Sequence, residues 1–501
     1  MENEPFPKKV LWRGRYLGGV FRRLMYRCQR HVARAYLRGN VSLTQNISDK
    51  IGIERMQNTP IIKLPEKVKY IIDTIMEAGY EAYAVGGCIR DFILGREPDD
   101  WDITTSASPY QVKELFPRTI DTGLQHGTVT VMMDKEGFEV TTYRIDGEYE
   151  DARHPKEVIF TSNLIEDLKR RDFTINAMAY NEKNGLIDVF EGMEDINRKI
   201  IRCVGSPIER FTEDALRMMR AVRFSAQLGY KIEEETAAAI KVLAPNLSKI
   251  SAERIQTELV KLVTSPNPDF LKVAYETGIT GVILPEFDVC METSQNNPHH
   301  CYSVGEHTLR SMKAVKADRY LRLALLFHDM GKPAKRTTDE KGIDHFYGHP
   351  VLSEEMAGQI LHRLKFDNDT IYMVKKLVLY HDYEVEAKPQ NVRRAIMKVG
   401  EDVFPLLFDV KRGDIAAQSD YKREEKLKKL ETVYDIYKQI LAQNQCVSLK
   451  TLAVTGRDLI EHAGMKPGKE LGEMLIKLLE LVVEDPSLNE KETLLLRAKN
   501  Y

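Results

Sequence analysis

Gly86-Gly-Cys-Ile-Arg-Asp-Phe-Ile-Leu-Gly95, shortly followed by Asp99-Asp-Trp-Asp-Ile-Thr104, decides how the rest of this sequence is read. The apolar stretch Glu81–Val85 ahead of it reads as a strand, Gly86-Gly87 as a tight turn, and the residues after the turn as a helix. A second strand is expected around Trp101–Thr104. Residues i and i+2 of a strand point to one face, so Asp100 and Asp102 converge while Trp101 and Ile103 face the apolar side. Two convergent carboxylates make a hard oxygen site suited to Mg²⁺, which completes its shell with water and substrate phosphates. Ions held this way activate an attacking hydroxyl and stabilise a leaving pyrophosphate. Gly87 lets backbone N–H groups come close to phosphate, and Arg90 adds a fork of donors. An isolated Asp-x-Asp is as readily a solvated strand face, and there is no GxGxxG or GxxxxGK[ST] loop. The order strand, Gly-Gly, Arg, helix, strand, Asp-x-Asp carries the argument.

Upstream, Pro65–Ala78 has the pattern of an amphipathic helix; downstream, Thr128–Met133 and Phe138–Tyr143 read as further strands. This mixed α/β block runs to about Phe190, interrupted by a polar loop, Asp146–Pro155, long enough to move. Beyond it helices dominate: Ile208–Leu228 with Thr212 as a cap, Ser251–Val263, a break at Ser265-Pro-Asn-Pro268, a histidine-rich helical region, and a lysine-rich helix over Tyr421–Ala442. The expected organisation is a basic extension over 1–60, an α/β head with a mixed sheet over 61–190, a helical neck over 191–298, a helical domain over 299–420 and a helical tail over 421–501.

At roughly 150 residues per domain, 501 residues suit three to four domains. The composition, 43% hydrophobic and 30% charged, is that of a globular protein and excludes collagenous, disordered and disulfide-scaffold classes. Net charge is only −2, so any nucleic-acid site must be local. The six cysteines are scattered without a CxxC, which fits reduced thiols in a cytoplasmic protein. No apolar run is long enough to span a membrane. Residues 1–40 hold ten Lys/Arg against two Glu. Three readings of that segment stand: a basic amphipathic arm, a disordered tail, or an upstream stretch with translation beginning at Met56.

These motifs resemble those of the class II CCA-adding enzymes (tRNA nucleotidyltransferases) and the bacterial poly(A) polymerases. Arg170-Arg-Asp-Phe-Thr-Ile-Asn-Ala177 is similar to that family's ribose-contacting motif, Asp188-Val-Phe-Glu-Gly192 to its hinge, and Glu213-Asp-Ala-Leu-Arg-Met-Met-Arg-Ala-Val-Arg-Phe224 to its nucleobase-reading helix. The likeness runs in order over about residues 62–265. It implies a nucleotidyltransferase head, Mg²⁺ at Asp100 and Asp102, and contacts to ribose and triphosphate from Gly87, Arg90, Arg171, Asp172, Arg220 and Arg223.

The helix after Glu213 also has a physical reading. Asp214, Arg217, Arg220 and Arg223 recur every three residues, a ribbon suited to a triphosphate, or equally a surface laced with ion pairs. Asp214 only accepts hydrogen bonds and Arg217 only donates. Cytosine and adenine each place an amino donor beside a ring-nitrogen acceptor, so one Asp/Arg pair serves both. Uracil and guanine reverse the pattern, and two mismatches at roughly 1–3 kcal/mol each would give discrimination of about 10²–10⁴. In the family the matching residues are held to template the base in this way.

Eight of the twelve histidines fall between His299 and His381, far above an even scatter. His328-Asp329 closes an apolar helical run before Gly331-Lys-Pro333, with His307 upstream and His349, His381 and Asp414 on later segments. Imidazoles with carboxylates suit a divalent transition metal. The pattern is similar to the HD superfamily of metal-dependent phosphohydrolases and implies ligands His307, His328, Asp329 and Asp414, with Asp409 and Asp382 as rivals for the last. A metal-free helical fold kept for RNA binding is the alternative.

The resemblance implies CCA addition to the 3′ end of tRNA from CTP and ATP by two-metal phosphoryl transfer. The rivals are A-only or poly(A) addition by the same site, a phosphohydrolase with an inactive head, and a non-catalytic RNA chaperone. Lys422–Lys429 reads first as a solvated charged helix face, but in the family the helical tail contacts tRNA, which implies contacts here and from the segment Gly464–Gly472 with Lys466 and Lys469.

Overall fold

The computed structural model describes residues 61–146 and 158–500. The basic extension and nearly all of the loop Asp146–Pro155 lie outside the described residues. The chain divides into two compact units, Leu64–Ala179 with Ile187–Tyr501, and Met1–Lys63 with Tyr180–Leu186. The larger unit holds every residue discussed below.

Five neighbouring strands of the head's sheet position the site: β1 (Ala82–Val85), β2 (Ile103–Thr105), β3 (Thr119–Gly123), β4 (Thr128–Met133) and β5 (Glu136–Thr142). Their order is β3-β4-β5-β2-β1, with β2 and β5 parallel and the other neighbours antiparallel. The mixed sheet expected from sequence is therefore present; the edge strand β3 is an addition to that reading. Helix α1 (Glu66–Glu77) buries Val68, Ile71, Ile72 and Ile75 at helical spacing, and β1 is buried along its whole length. The hairpin β4–β5 fixes the register by which β5 lies beside β2, with Ile103 opposite Val140.

Downstream, strands shrink to two or three residues and helices take over. Helix α2 (Gly87–Ile93) follows β1, and α3 (Leu164–Lys169) precedes the Arg170–Ala177 motif. The neck contains α4 (Pro207–Glu213), α5 (Leu216–Leu228) and α6 (Ala252–Val263), with α6 packed on α5 through Ile255, Leu259, Leu262 and Val263. The single helix expected over Ile208–Leu228 is two, broken at Asp214, whose backbone is extended (φ −140°, ψ 104°). Thr212 is not a cap: its hydroxyl donates to the Ile208 carbonyl. Asp214 has that role instead, accepting from the Leu216 N–H at 3.0 Å, because a short acidic side chain satisfies an orphan donor better than continued helix does.

The histidine-rich region forms α7 (Val304–Lys313), α8 (Arg319–Phe327), α9 (His349–Arg363), α10 (Asn368–Tyr380) and α11 (Phe404–Ala417). The tail adds α12 (Arg423–Ala442) and α13 (Lys469–Glu484), the latter part of a separate small core around Leu459, Leu478 and Val482. Among the described residues no helix is long and apolar enough to cross a membrane, and the five cysteines there are free.

Candidate functional site

The two aspartates stand on the lead-in to β2, not within it: β2 starts at Ile103, and the Val85 N–H donates to the Asp102 carbonyl at 2.9 Å. Aspartate is a poor strand former, and both residues stay open to solvent, although the protein around Asp102 still desolvates its carboxylate. The Ile103–Val140 register places Glu139 of β5 next to Asp102. Packed protein pushes the Asp102 pKa up; Arg171 opposes the push and Asp100 adds to it. Burial likewise raises Glu139, helped by the charges of Asp102 and Asp100. Three carboxylates thus share one field. Glu139 was missed in the sequence; its only signal was an acidic residue within the apolar strand pattern Phe138–Tyr143. Behind the cluster, burial and then Asp102 push the Cys88 thiol to about 12, so that thiol is inert.

The Gly-Gly turn shapes the next part of the site. Gly86 has φ +90°, and a Cβ there would lie 3.0 Å from an Arg171 terminal nitrogen. Arg171 is steered by Asp167, a fully buried carboxylate of α3 whose Oδ2 is 3.5 Å away. The same carboxylate accepts from Arg170 Nε at 2.9 Å and from the Thr104 hydroxyl at 3.2 Å, two residues beyond Asp102. Arg90 is buried, with its donors committed to Asp91 (3.0 and 2.7 Å) and to Asn176 (2.6 Å). It therefore fixes the cradle from behind. Asn176 passes the link to Asp172 (3.2 Å), whose other oxygen receives Arg220 at 2.8 and 2.6 Å. Burial opposes ionisation of Asp172, and Arg220 overrides it, holding the carboxyl at about 2. Arg90, Arg220 and Arg223 all lie over the Phe224 ring, at 5.0, 5.4 and 3.9 Å.

Only part of the expected guanidinium ribbon keeps its donors open. Arg223 is buried against Glu258 of α6 at 2.5 Å and Gln227 at 2.9 Å. Arg217 pairs with Glu213 at 2.6 Å and donates to the Arg170 carbonyl at 3.1 Å. Asp214 is held by Arg254 at 2.8 Å. Arg254 and Glu258 were not singled out from sequence, since 35–40 residues separate each from its partner.

A second cluster lies among the histidine-bearing helices. His307 sits in α7, His328 and Asp329 end α8, His349 opens α9, His381 ends α10 and Asp414 lies on α11. The His307 and His328 Nε2 atoms are 3.2 Å apart, as are those of His349 and His381. Each Nδ1 faces a backbone carbonyl: Ala417 (3.3 Å), Leu325 (2.7 Å), Phe346 (2.8 Å) and Val378 (2.7 Å) respectively. A carbonyl only accepts, so each Nδ1 carries a proton and each Nε2 is turned toward the shared interior. Asp329, 1% exposed, presents Oδ2 to His307 and His328 (3.5 and 3.2 Å) and Oδ1 to His349 and His381 (3.3 and 3.7 Å). Asp414 is 2.9 Å from His307, whereas Asp409 pairs with Arg412 and Lys316. Asp382 is raised by burial, with His349 and Lys411 opposing. Lys332 lies 2.7 Å from Asp329. Facing imidazoles around a buried carboxylate are a donor set for divalent metal.

A mixed sheet with a carboxylate cluster on its interior strands β2 and β5, an arginine-lined cradle beside it and a helical body after it in the chain defines the nucleotidyltransferase class. Residues 82–202 match the "Poly A polymerase head domain" family, 229–291 an RNA and SrmB-binding site of polymerase A, and 336–498 a tRNA nucleotidyltransferase domain 2. The chain is 36% identical over 436 residues to the CCA-adding enzyme of Lactobacillus helveticus, covering 86% of this chain and 97% of that one. It is 37% identical to that of Levilactobacillus brevis, covering 86% and 96%. The Bacillus stearothermophilus CCA-adding enzyme, solved in complex with CTP, superposes with a TM-score of 0.65 at 31% identity over 88% of this chain and 98% of that one. The chain belongs to the CCA-adding enzyme family.

Proposed function

We propose that the protein adds CMP and AMP to the 3′ end of tRNA, using CTP and ATP and releasing pyrophosphate. The observation that supports this most is the Asp100/Asp102/Glu139 carboxylate cluster with the Arg171 guanidinium acting on Asp102, next in sequence to the Asp172 carboxylate that Arg220 holds. Asp100 and Asp102, with Glu139 beside them, hold Mg²⁺; they are the oxygen donors that ion takes, and their mutual repulsion is what a divalent cation relieves. Bound there, the metal supplies charge compensation for attack on the α-phosphate. The tRNA 3′-oxygen forms a bond to the α-phosphorus, the bond to the β-phosphate bridging oxygen breaks, and the electron pair leaves with pyrophosphate. Arg171 and the backbone at Gly86-Gly87 receive the triphosphate, and Asp172 with Arg220 frames the ribose. Asp214 accepts the exocyclic amino group of C or A while Arg217 donates to the adjacent ring nitrogen. The tail, through Lys422–Lys429, Lys466 and Lys469, contacts the tRNA backbone, and the protein works in the cytoplasm.

Incubation with tRNA lacking CCA and labelled CTP or ATP tests this. Incorporation of CMP followed by AMP is expected. Absence of CMP incorporation overturns it, and AMP addition alone would favour the A-only reading.

Asp329 favours a second activity. With both oxygens facing imidazole pairs, residues 299–420 form a metal-dependent phosphohydrolase of the HD type, with His307, His328, Asp329 and Asp414 as ligands and His349 and His381 completing the cluster. A divalent metal held by these residues would supply the charge that activates a nucleophile for phosphoester cleavage. Hydrolysis of p-nitrophenyl phosphate by the Asp100→Asn variant, lost on Asp329→Asn, is expected. No metal retained after dialysis, measured by mass spectrometry, would overturn it.

A further inference from the structure

Helix α6 touches the base-reading segment at both ends. Arg254 and Glu258 are four residues apart and so share one helix face. Arg254 reaches Asp214 through two nitrogens, at 3.4 Å to Oδ1 and 2.8 Å to Oδ2. Glu258 holds Arg223 at 2.5 Å, nine residues further along the same segment. The helix between these two ion pairs, α5, is packed on α6 by buried aliphatic side chains.

Resting on the base-reading proposal above, we infer that Arg254 is a specificity-determining positioning residue: it fixes the Asp214 carboxylate so that uracil and guanine are rejected. An ionised carboxylate offers about four acceptor positions. Oδ1 is filled by the Leu216 N–H and one Arg254 nitrogen, and Oδ2 takes the other Arg254 nitrogen. What remains open lies on Oδ2, a single acceptor direction for one exocyclic amino group. Rejection of uracil or guanine depends on the carboxylate being unable to turn away from their O4 or O6. A loose carboxylate rotates, relieves the repulsion and admits the wrong base; a clamped one cannot. Arg217 is anchored in the same manner by Glu213 at 2.6 Å. Each base-reading group is thus held from outside the pair. Arg254 touches no substrate in this scheme; it acts through Asp214.

The test compares kcat/KM for CTP, ATP, UTP and GTP on tRNA lacking CCA for Arg254→Met, Arg254→Lys and Asp214→Ala. For Arg254→Met the CTP-to-UTP ratio is expected to fall on the order of tenfold or more, as when one of two base-directed hydrogen bonds loses its fixed geometry. Arg254→Lys keeps the charge but not the fork, and should restore part of the ratio. A purely structural role would lower all four values together and leave the ratio unmoved, which would overturn the inference. The lysine variant gives the same reading should the methionine variant fail to fold. If Asp214→Ala leaves the ratio intact, base reading by Asp214 fails and takes this inference with it. If Asp214→Ala collapses the ratio and neither Arg254 variant changes it, only the role of Arg254 is refuted.

Discussion

Arg220 donates through Nε and a terminal nitrogen to one oxygen of Asp172, at 2.8 and 2.6 Å, across 48 residues of chain. The contact joins the head's Arg170–Ala177 motif to the neck helix α5, so the proposed ribose and base halves of the site are one network. Arg220→Met should cost about 1–3 kcal/mol, below the figure for a fully buried pair because the arginine side chain is 35% exposed. The Asp172 pKa is depressed from 3.8 to about 2, so the pair's contribution is full above 3.8 and lost as pH falls through about 2. Acid titration followed by circular dichroism should show that loss in the parent and a flatter profile in Arg220→Met.

Asp102→Asn should abolish CMP incorporation, by at least about 10³-fold, the scale expected when transition-state charge compensation is lost. Because Asp102 is raised by its surroundings, its ionised form weakens the fold without metal. The same variant should therefore melt at the parent temperature or slightly above it in EDTA. A clear fall in melting temperature would contradict this account of the cluster.

Gly86→Ala forces a side chain to φ +90° and brings its Cβ to 3.0 Å from Arg171. The backbone term alone is about 1–2 kcal/mol. Displacement of Arg171 should appear as a raised KM for CTP, with the KM for tRNA little changed.

Asp167→Ala removes the buried acceptor shared by Thr104, Arg170 and Arg171. A loss of about 3–5 kcal/mol is expected, since cations are left without their partner. Asp167→Asn should retain part of that stability, and urea denaturation distinguishes the two.

If the proposed metal is held by the His307–Asp414 cluster, a chelator should lower the melting temperature, because residues from five helical segments would lose their common tie. Asp329→Asn should abolish that chelator sensitivity while leaving CMP incorporation within about twofold, as expected of distant independent sites.

The sequence by itself determined what repeats locally. Alternation and helical spacing gave the strands beside Gly86-Gly87, the helices after residue 190 and the order of motifs, because i+2 and i+3 neighbours are set by backbone geometry alone. It also marked out His328-Asp329, by residue type and a helix stop, and the histidine enrichment around them, whereas Asp414 had Asp409 and Asp382 as rivals. Only the tertiary structure decided which charges meet. Glu139 joins Asp102 through the register of parallel strands, Arg254 reaches Asp214 across 40 residues, and one aspartate, Asp329, serves two histidine pairs from separate helices. Those pairings depend on how apolar faces pack and bring distant backbone together, which no short-range period records. The break at Asp214 shows the same limit: helical spacing runs straight through it, and the Leu216 cap with the Arg254 ion pair holds the chain open there.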